Sequence, residues 1–181
     1  MPAEIIKVCK EHLPSLRFIG KCYTDEDRGA DGGFGNKWGE WFQNGWFDAL
    51  EKLGALQGVE NGYLGLMGCS EKEKSFQYWI GILFPENTAV PEGFTGIDIP
   101  EGDVGICWIK GREEMGEIYG EGPHNMCLEK LKENGMGNYR DDFKGEAGKW
   151  WWFFERYNCP RFTERNEDGT VILDYGMYVC E

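Results

Sequence analysis

Two stretches of this chain carry the same order of elements, and that repetition constrains the fold more than any other feature. In the first, residues 15–23 (SLRFIGKCY) partly alternate apolar and polar side chains and predict a strand. The polar, glycine-rich TDEDRGADGGFGN follows as a loop. Asn36 then caps a helix on which Trp38, Trp41, Phe42, Trp46, Ala49, Leu50 and Leu53 share one face, with Gly54 as its stop. Strands over 62–69 and 75–84 complete the unit, joined by a charged EKEK hairpin loop. In the second stretch, residues 94–99 lead in, PEGD turns the chain and residues 103–110 predict a strand. A loop with four glycines reaches a helix that runs from Pro123 to a stop at Gly135. Two more strands, 150–158 and 171–179, close the chain around an RNEDGT turn. The two helices even share wording: Leu50-Glu51-Lys52-Leu53 against Leu128-Glu129-Lys130-Leu131, each preceded by a Gly-Glu at 39–40 or 116–117. Duplication explains the shared order. Each half has one helix face and one sheet face to bury, and two halves can cover one another. The expectation is an α+β domain of duplicated β-α-β-β halves, 15–92 and 93–181, behind an N-terminal extension of residues 1–14. A pseudo-two-fold axis relates the halves, and a ligand groove is expected where they meet.

Charge narrows the partners. Lys and Arg number 19 against 32 Asp and Glu, a formal charge of −13. Such a surface repels nucleic-acid backbones and anionic membranes and attracts small cations. With 41% hydrophobic and 15% aromatic residues, the 181-residue chain can build a core. No stretch approaches the roughly 18 apolar residues of a membrane span. The start, Met1-Pro2-Ala3-Glu4-Ile5-Ile6-Lys7, carries charge where a signal peptide needs an apolar run, so a cytoplasmic location is expected. The seven cysteines contain no C-x-x-C pair, which argues against a zinc knuckle or iron–sulfur cluster and for reduced core thiols. His12 and His124 lack metal-site spacing and read as solvated or capping residues. G-x-S-x-G and P-loop motifs are absent. A dinucleotide fingerprint starting at Gly33-Phe34-Gly35 would need glycine where Trp38 stands. No cofactor and no metal are expected.

The most informative segment is Trp150-Trp151-Trp152-Phe153-Phe154-Glu155-Arg156-Tyr157. On a strand, Trp151, Phe153, Glu155 and Tyr157 share one face; Trp150, Trp152, Phe154 and Arg156 share the other. Glu155 sits among aromatic neighbours, where a carboxylate is costly without partners. One reading is a structural glutamate bonded to tyrosines or paired with Arg156. The other is the counter-charge in a pocket for a lipophilic cation, whose aromatic contacts contribute roughly 0.5–2 kcal/mol each. Tyr78, Trp79, Trp108, Tyr175 and Tyr178 are candidates for the same wall, whereas Trp38, Trp41 and Trp46 read as core. Gly81 and Gly105 stand mid-strand, where glycine admits a close approach or marks a twist.

Leu13-Pro14-Ser15-Leu16-Arg17-Phe18-Ile19-Gly20, Tyr78-Trp79-Ile80-Gly81, Ile99-Pro100-Glu101-Gly102-Asp103-Val104 and the late Phe154-Glu155-Arg156-Tyr157 together resemble the GyrI-like small-molecule-binding domain. This effector-binding domain is also found attached to AraC-type and MerR-type regulators. The likeness spans roughly residues 12–180. It implies a concave antiparallel sheet backed by two helices, with the ligand in the central groove. It gives Glu155 the role of meeting cationic aromatic ligands, and gives Tyr78, Trp108 and Tyr157 the aromatic wall. Tyr175 joins them as a candidate, and Trp152 does so if a bulge turns it to Glu155's face. The dozen residues ahead of the core are too few for a helix-turn-helix. The resemblance therefore implies a standalone binder that senses or sequesters hydrophobic, cationic xenobiotics, with a protein partner or homodimer left open. Other members of the family hydrolyse cyclopropane-bearing compounds, and in that alternative Glu155 is the general base on water or an electrostatic stabiliser. A third reading is an inhibitory protein-binding module.

Overall fold

The computed structural model describes residues 2–70, 74–137, 144–145 and 149–179, with backbone alone for residues 70, 144–145 and 149–152. Among these residues, nine strands and three helices follow in the order β1 (Glu4–Leu13), β2 (Leu16–Tyr23), α1 (Gly35–Gln43), α2 (Trp46–Glu51), β3 (Tyr63–Ser70), β4 (Phe76–Pro85), β5 (Thr95–Ile99), β6 (Gly102–Gly111), α3 (Glu121–Glu133), β7 (Lys144–Gly145), β8 (Lys149–Tyr157) and β9 (Val171–Tyr178). The strands form one antiparallel sheet, β1-β6-β9-β8-β3-β4-β2-β5, with the short β7 on β8. This is the expected α+β architecture with a concave antiparallel sheet.

Read outward from its centre, the sheet is β3-β4-β2-β5 on one side and β8-β9-β6-β1 on the other. Aligning Leu13-Pro14 with Ile99-Pro100 carries Gly81 onto Gly176 and Gly65 onto Glu155 through the strand registers. Gly65 and Glu155 are also direct cross-strand partners. The pseudo-two-fold axis therefore passes between them.

Residues 4–13, expected to precede the domain, form an edge strand paired with β6. Each repeat is thus β-β-α-β-β, and the leading strands are exchanged: β1 pairs with β6 of the second repeat, β5 with β2 of the first. Only Leu13 of β1 is buried, so the strand lacks the apolar alternation that announces its neighbours. A proline stops each leading strand, as suits a residue without a ladder N–H.

The expected first helix is two helices. Gly45 breaks it with a left-handed φ of 66°. Asn36 lies inside α1 rather than at its cap, which is Phe34. Phe42, expected on the buried stripe, is 60% exposed. Trp41, Phe47 and Leu50 still pack on Ile19, Met67 and Ile80. α3 packs its Cys127 and Leu131 on Cys107, Leu173 and Tyr175. Gly105 has a packing reason: an added Cβ would lie 2.7 Å from the Leu131 side chain. The sheet's other face carries a third cluster, including Phe18, Leu64, Trp79, Ile106 and Phe154. Of the described cysteines, only Cys107 and Cys127 are core residues; Cys22 and Cys159 are exposed, contrary to the expectation of core thiols throughout. The EKEK loop lies largely outside the described residues.

Candidate functional site

Glu155 lies on β8 at the centre of the sheet, 8% exposed, with Gly65 of β3 on one side and Tyr175 of β9 on the other. Glycine at 65 leaves the space that the Tyr78 hydroxyl and the Glu155 carboxylate occupy. Strand alternation then gathers hydroxyls around the acid. Tyr157 donates to Oε2 at 2.8 Å, and the Tyr78 hydroxyl lies 3.4 Å from the same oxygen. The Tyr175 hydroxyl is 3.3 Å from Oε1 and 2.8 Å from the carbonyl of Ile118.

A second layer of rings holds the tyrosines. Trp38 of α1 donates its indole N–H to the Tyr78 hydroxyl at 2.9 Å and packs on the Tyr157 ring at 4.6 Å between centroids. Phe34 stacks on Tyr78 at 4.4 Å, and Phe162 meets Tyr157 edge-on at 4.7 Å. Phe153 lies beside Tyr175 and is stacked by His124 of α3 at 3.9 Å.

Among the described residues, no lysine, arginine or histidine pairs with Glu155. Arg156 points to the opposite face, as alternation requires. There it bonds Asp174 at 2.9 Å, and Glu11 and Glu60 lie within 3.3 Å of its other nitrogens. Arg161 joins the same network through Asp174 and Glu60. Burial pushes the Glu155 carboxyl above its ordinary range, against the hydrogen bonds that Tyr157, Tyr175 and Tyr78 offer the ionised form. Tyr78 and Tyr157 are pushed well up by burial and by the neighbouring acid. Tyr119, beside Glu113, is raised first by burial and then by the charges of Glu113 and Glu155.

Four of the residues singled out from sequence therefore meet: Glu155, Tyr157, Tyr78 and Tyr175. Trp108 does not join them. It pairs across the sheet with Asp174, on the Arg156 face, with the Lys7 ammonium 4.1 Å and the Arg161 guanidinium 4.2 Å from its ring. The register of β8 against β3 shifts between Met67 and Gly68, so an extra residue, Trp152, stands in β8. The side chain of Trp152 lies outside the described residues. Trp38, Phe34 and Tyr119 belong to the cluster although the sequence marked Trp38 as core and left the other two unassigned. For Trp38 no signal separates the roles, because it shares a helical stripe with the fully buried Trp41.

No protein-family model matches the chain, and no curated protein matches it significantly. Solved structures do. A protein assigned to bacterial transcription regulation in Staphylococcus aureus MU50 is 17% identical and superposes with a TM-score of 0.64, over 97% of this chain and 99% of that one. SAV2435, solved bound to tetraphenylphosphonium, is 18% identical with a TM-score of 0.58, over 97% and 94%. EcmrR, solved in a complex with DNA, is 12% identical with a TM-score of 0.52, over 96% of this chain and 57% of that one. The duplicated sheet with Glu155 at its axis therefore has the fold shared by these three proteins, the fold implied by the resemblance to the GyrI-like domain.

Proposed function

We propose that this chain binds hydrophobic, cationic aromatic small molecules, with Glu155 as the counter-charge and the surrounding rings as the walls. One observation carries the reading: a buried carboxylate held only by tyrosine hydroxyls, with no basic partner among the described residues. The tyrosine bonds are those that a structural glutamate would also make, but they bring no positive charge, so the counter-charge of the ionised acid is left to a visitor. Aromatic faces add about 0.5–2 kcal/mol per cation contact, with loose geometric demands, so the selectivity is broad. The bound tetraphenylphosphonium of SAV2435 supports a site of this kind on this fold. Sensing or sequestering xenobiotics follows from such breadth, and the net charge of −13 opposes a nucleic-acid partner. No helix among the described residues is long and apolar enough to cross a membrane.

Calorimetric titration with tetraphenylphosphonium tests the proposal. Micromolar binding is expected, weakened about tenfold or more, ~1.4 kcal/mol, by Glu155→Gln. Equal affinity in the variant would remove the electrostatic part of the mechanism.

A further inference from the structure

We propose that Glu155 holds a proton in the empty site at neutral pH, and that a cationic ligand is taken up in exchange for it. The inference rests on the cation-binding reading and adds its regulation. It begins with the hydrogen of Tyr175. That hydroxyl has one hydrogen and two oxygens within reach, the Ile118 carbonyl at 2.8 Å and Glu155 Oε1 at 3.3 Å. The carbonyl can only accept and is the closer, so it takes the hydrogen. Tyr175 then turns a lone pair toward Oε1. That contact is a hydrogen bond only if Oε1 carries a hydrogen of its own.

The other oxygen fits the same assignment. Oε2 accepts from Tyr157 at 2.8 Å and from Tyr78 at 3.4 Å. The Tyr78 oxygen in turn accepts the Trp38 indole N–H at 2.9 Å, which leaves its hydrogen for Oε2. With a neutral acid, each donor in this chain has an acceptor. Ionisation makes Tyr175 choose between Oε1 and Ile118, and the loser is a buried oxygen left facing a lone pair. Burial, with no basic partner among the described residues, favours the same neutral form.

The exchange balances simply. The Oε1–H bond breaks, the proton leaves to solvent, and the carboxylate pairs with the incoming cation; nothing is oxidised or reduced. Among the described residues, the groups around the acid are few. β4, β8 and β9 present Tyr78, Tyr157 and Tyr175, and the segment ahead of α3 presents Tyr119 with Glu113. β3 presents Gly65, and α1 presents Trp38. α3 brings His124, stacked on Phe153 and held below its ordinary value by burial. These tyrosines are all pushed above the usual phenol range, so among the described residues His124 is the group whose titration needs a control.

The test titrates the intact chain with tetraphenylphosphonium, a cation that carries no proton, across pH and in two buffers of different ionisation enthalpy. One proton released per cation is expected, with affinity rising tenfold per pH unit up to a midpoint at or above neutrality and then levelling. Glu155→Gln should flatten the profile, and His124→Asn should keep it. Binding without proton release or pH dependence overturns the exchange and leaves the cation reading standing. No binding at any pH overturns both. Infrared spectra of the ligand-free protein read the acid directly. A carboxylic-acid carbonyl band at neutral pH, lost in Glu155→Gln, is expected, and its absence defeats the proposal even if cations bind. Tyr175→Phe supplies the sign. Loss of an acceptor for the acid's hydrogen moves the midpoint down, whereas an upward move would show that Tyr175 donates to an ionised Glu155.

Discussion

Arg156 and Glu155 are neighbours in sequence with opposite fates, and Asp174 helps to separate them. Asp174 is fully buried and bonded by both Arg156 and Arg161, at 2.9 and 2.8 Å. It anchors the guanidinium on one face of the sheet while its neighbour on β9, Tyr175, reaches Glu155 on the other. Asp174→Asn keeps the shape but removes the buried charge that both guanidiniums share, leaving Arg156, 1% exposed, to Glu11 and Glu60, and Arg161 to Glu60. A loss of about 1.5–3 kcal/mol is expected, read as a fall in the urea midpoint without a change in slope. Gly65 is the second sensitive position. A Cβ there would collide with the Tyr78 hydroxyl and come into contact with Glu155. Gly65→Ala should cost about 1–3 kcal/mol by overpacking, and should weaken tetraphenylphosphonium binding by shifting Tyr78. A stable variant with unchanged affinity would show that Tyr78 is not part of the wall. The core of this cluster was legible in the sequence, because Phe154-Glu155-Arg156-Tyr157 sets the parity of β8 without outside help. Trp108 was not, since its face depends on how β6 registers against β9, and a slip of one residue reverses every side chain. The separation of Trp38 from Trp41 was equally invisible, because a helical stripe records burial rather than hydrogen bonding.

The element that sequence patterning misses is β1. An edge strand with one buried residue has no periodic signal, yet it covers β6 along nine register pairs from Glu4 to Leu13. It also delivers Glu11 to Arg156 and Leu13 to the core. Deleting residues 2–13 should therefore do more than trim a tail. β6 becomes a bare edge, and Arg156 loses one of its acids. Loss of the cooperative thermal transition, or aggregation during size-exclusion chromatography, is the expected outcome; an unchanged transition would mean that β1 contributes little. Most other elements were legible from local chemistry. Partial alternation marked β2, whereas β4 and β6 read as strands without it, and the helix stops marked the ends of α2 and α3. The α1–α2 break lay in view as Asn44-Gly45 but was overridden by an apolar period that continues across it. The match of Leu13-Pro14 to Ile99-Pro100 was the one trace of β1 in the sequence, and it becomes meaningful only once both residues are seen to end exchanged strands.

At the scale of the whole molecule, the duplication is symmetric in backbone and asymmetric in charge. Gly65 and Glu155 are equivalent positions that face each other at the pseudo-two-fold axis, so the two halves share one carboxylate. Two acids there would repel, and one would be forced neutral or paired. A glycine opposite a glutamate leaves a single negative site, and the stoichiometry expected is one cation per chain. The remaining charge acts from a distance. With a net charge of −13, the surface field draws cations toward the molecule before any contact forms. That field is screened over about 10 Å at 0.1 M salt, whereas the buried acid feels salt far less. Salt should therefore separate the two contributions. Stopped-flow measurements are expected to show the association rate of tetraphenylphosphonium falling as salt rises from roughly 0.01 to 1 M, with the dissociation rate nearly constant, because the field acts on encounter and the contact acts on release. A neutral aromatic of similar size should show neither trend. If the dissociation rate instead carries the salt dependence, the cation is held by exposed charges at the surface, and Glu155 is not its partner.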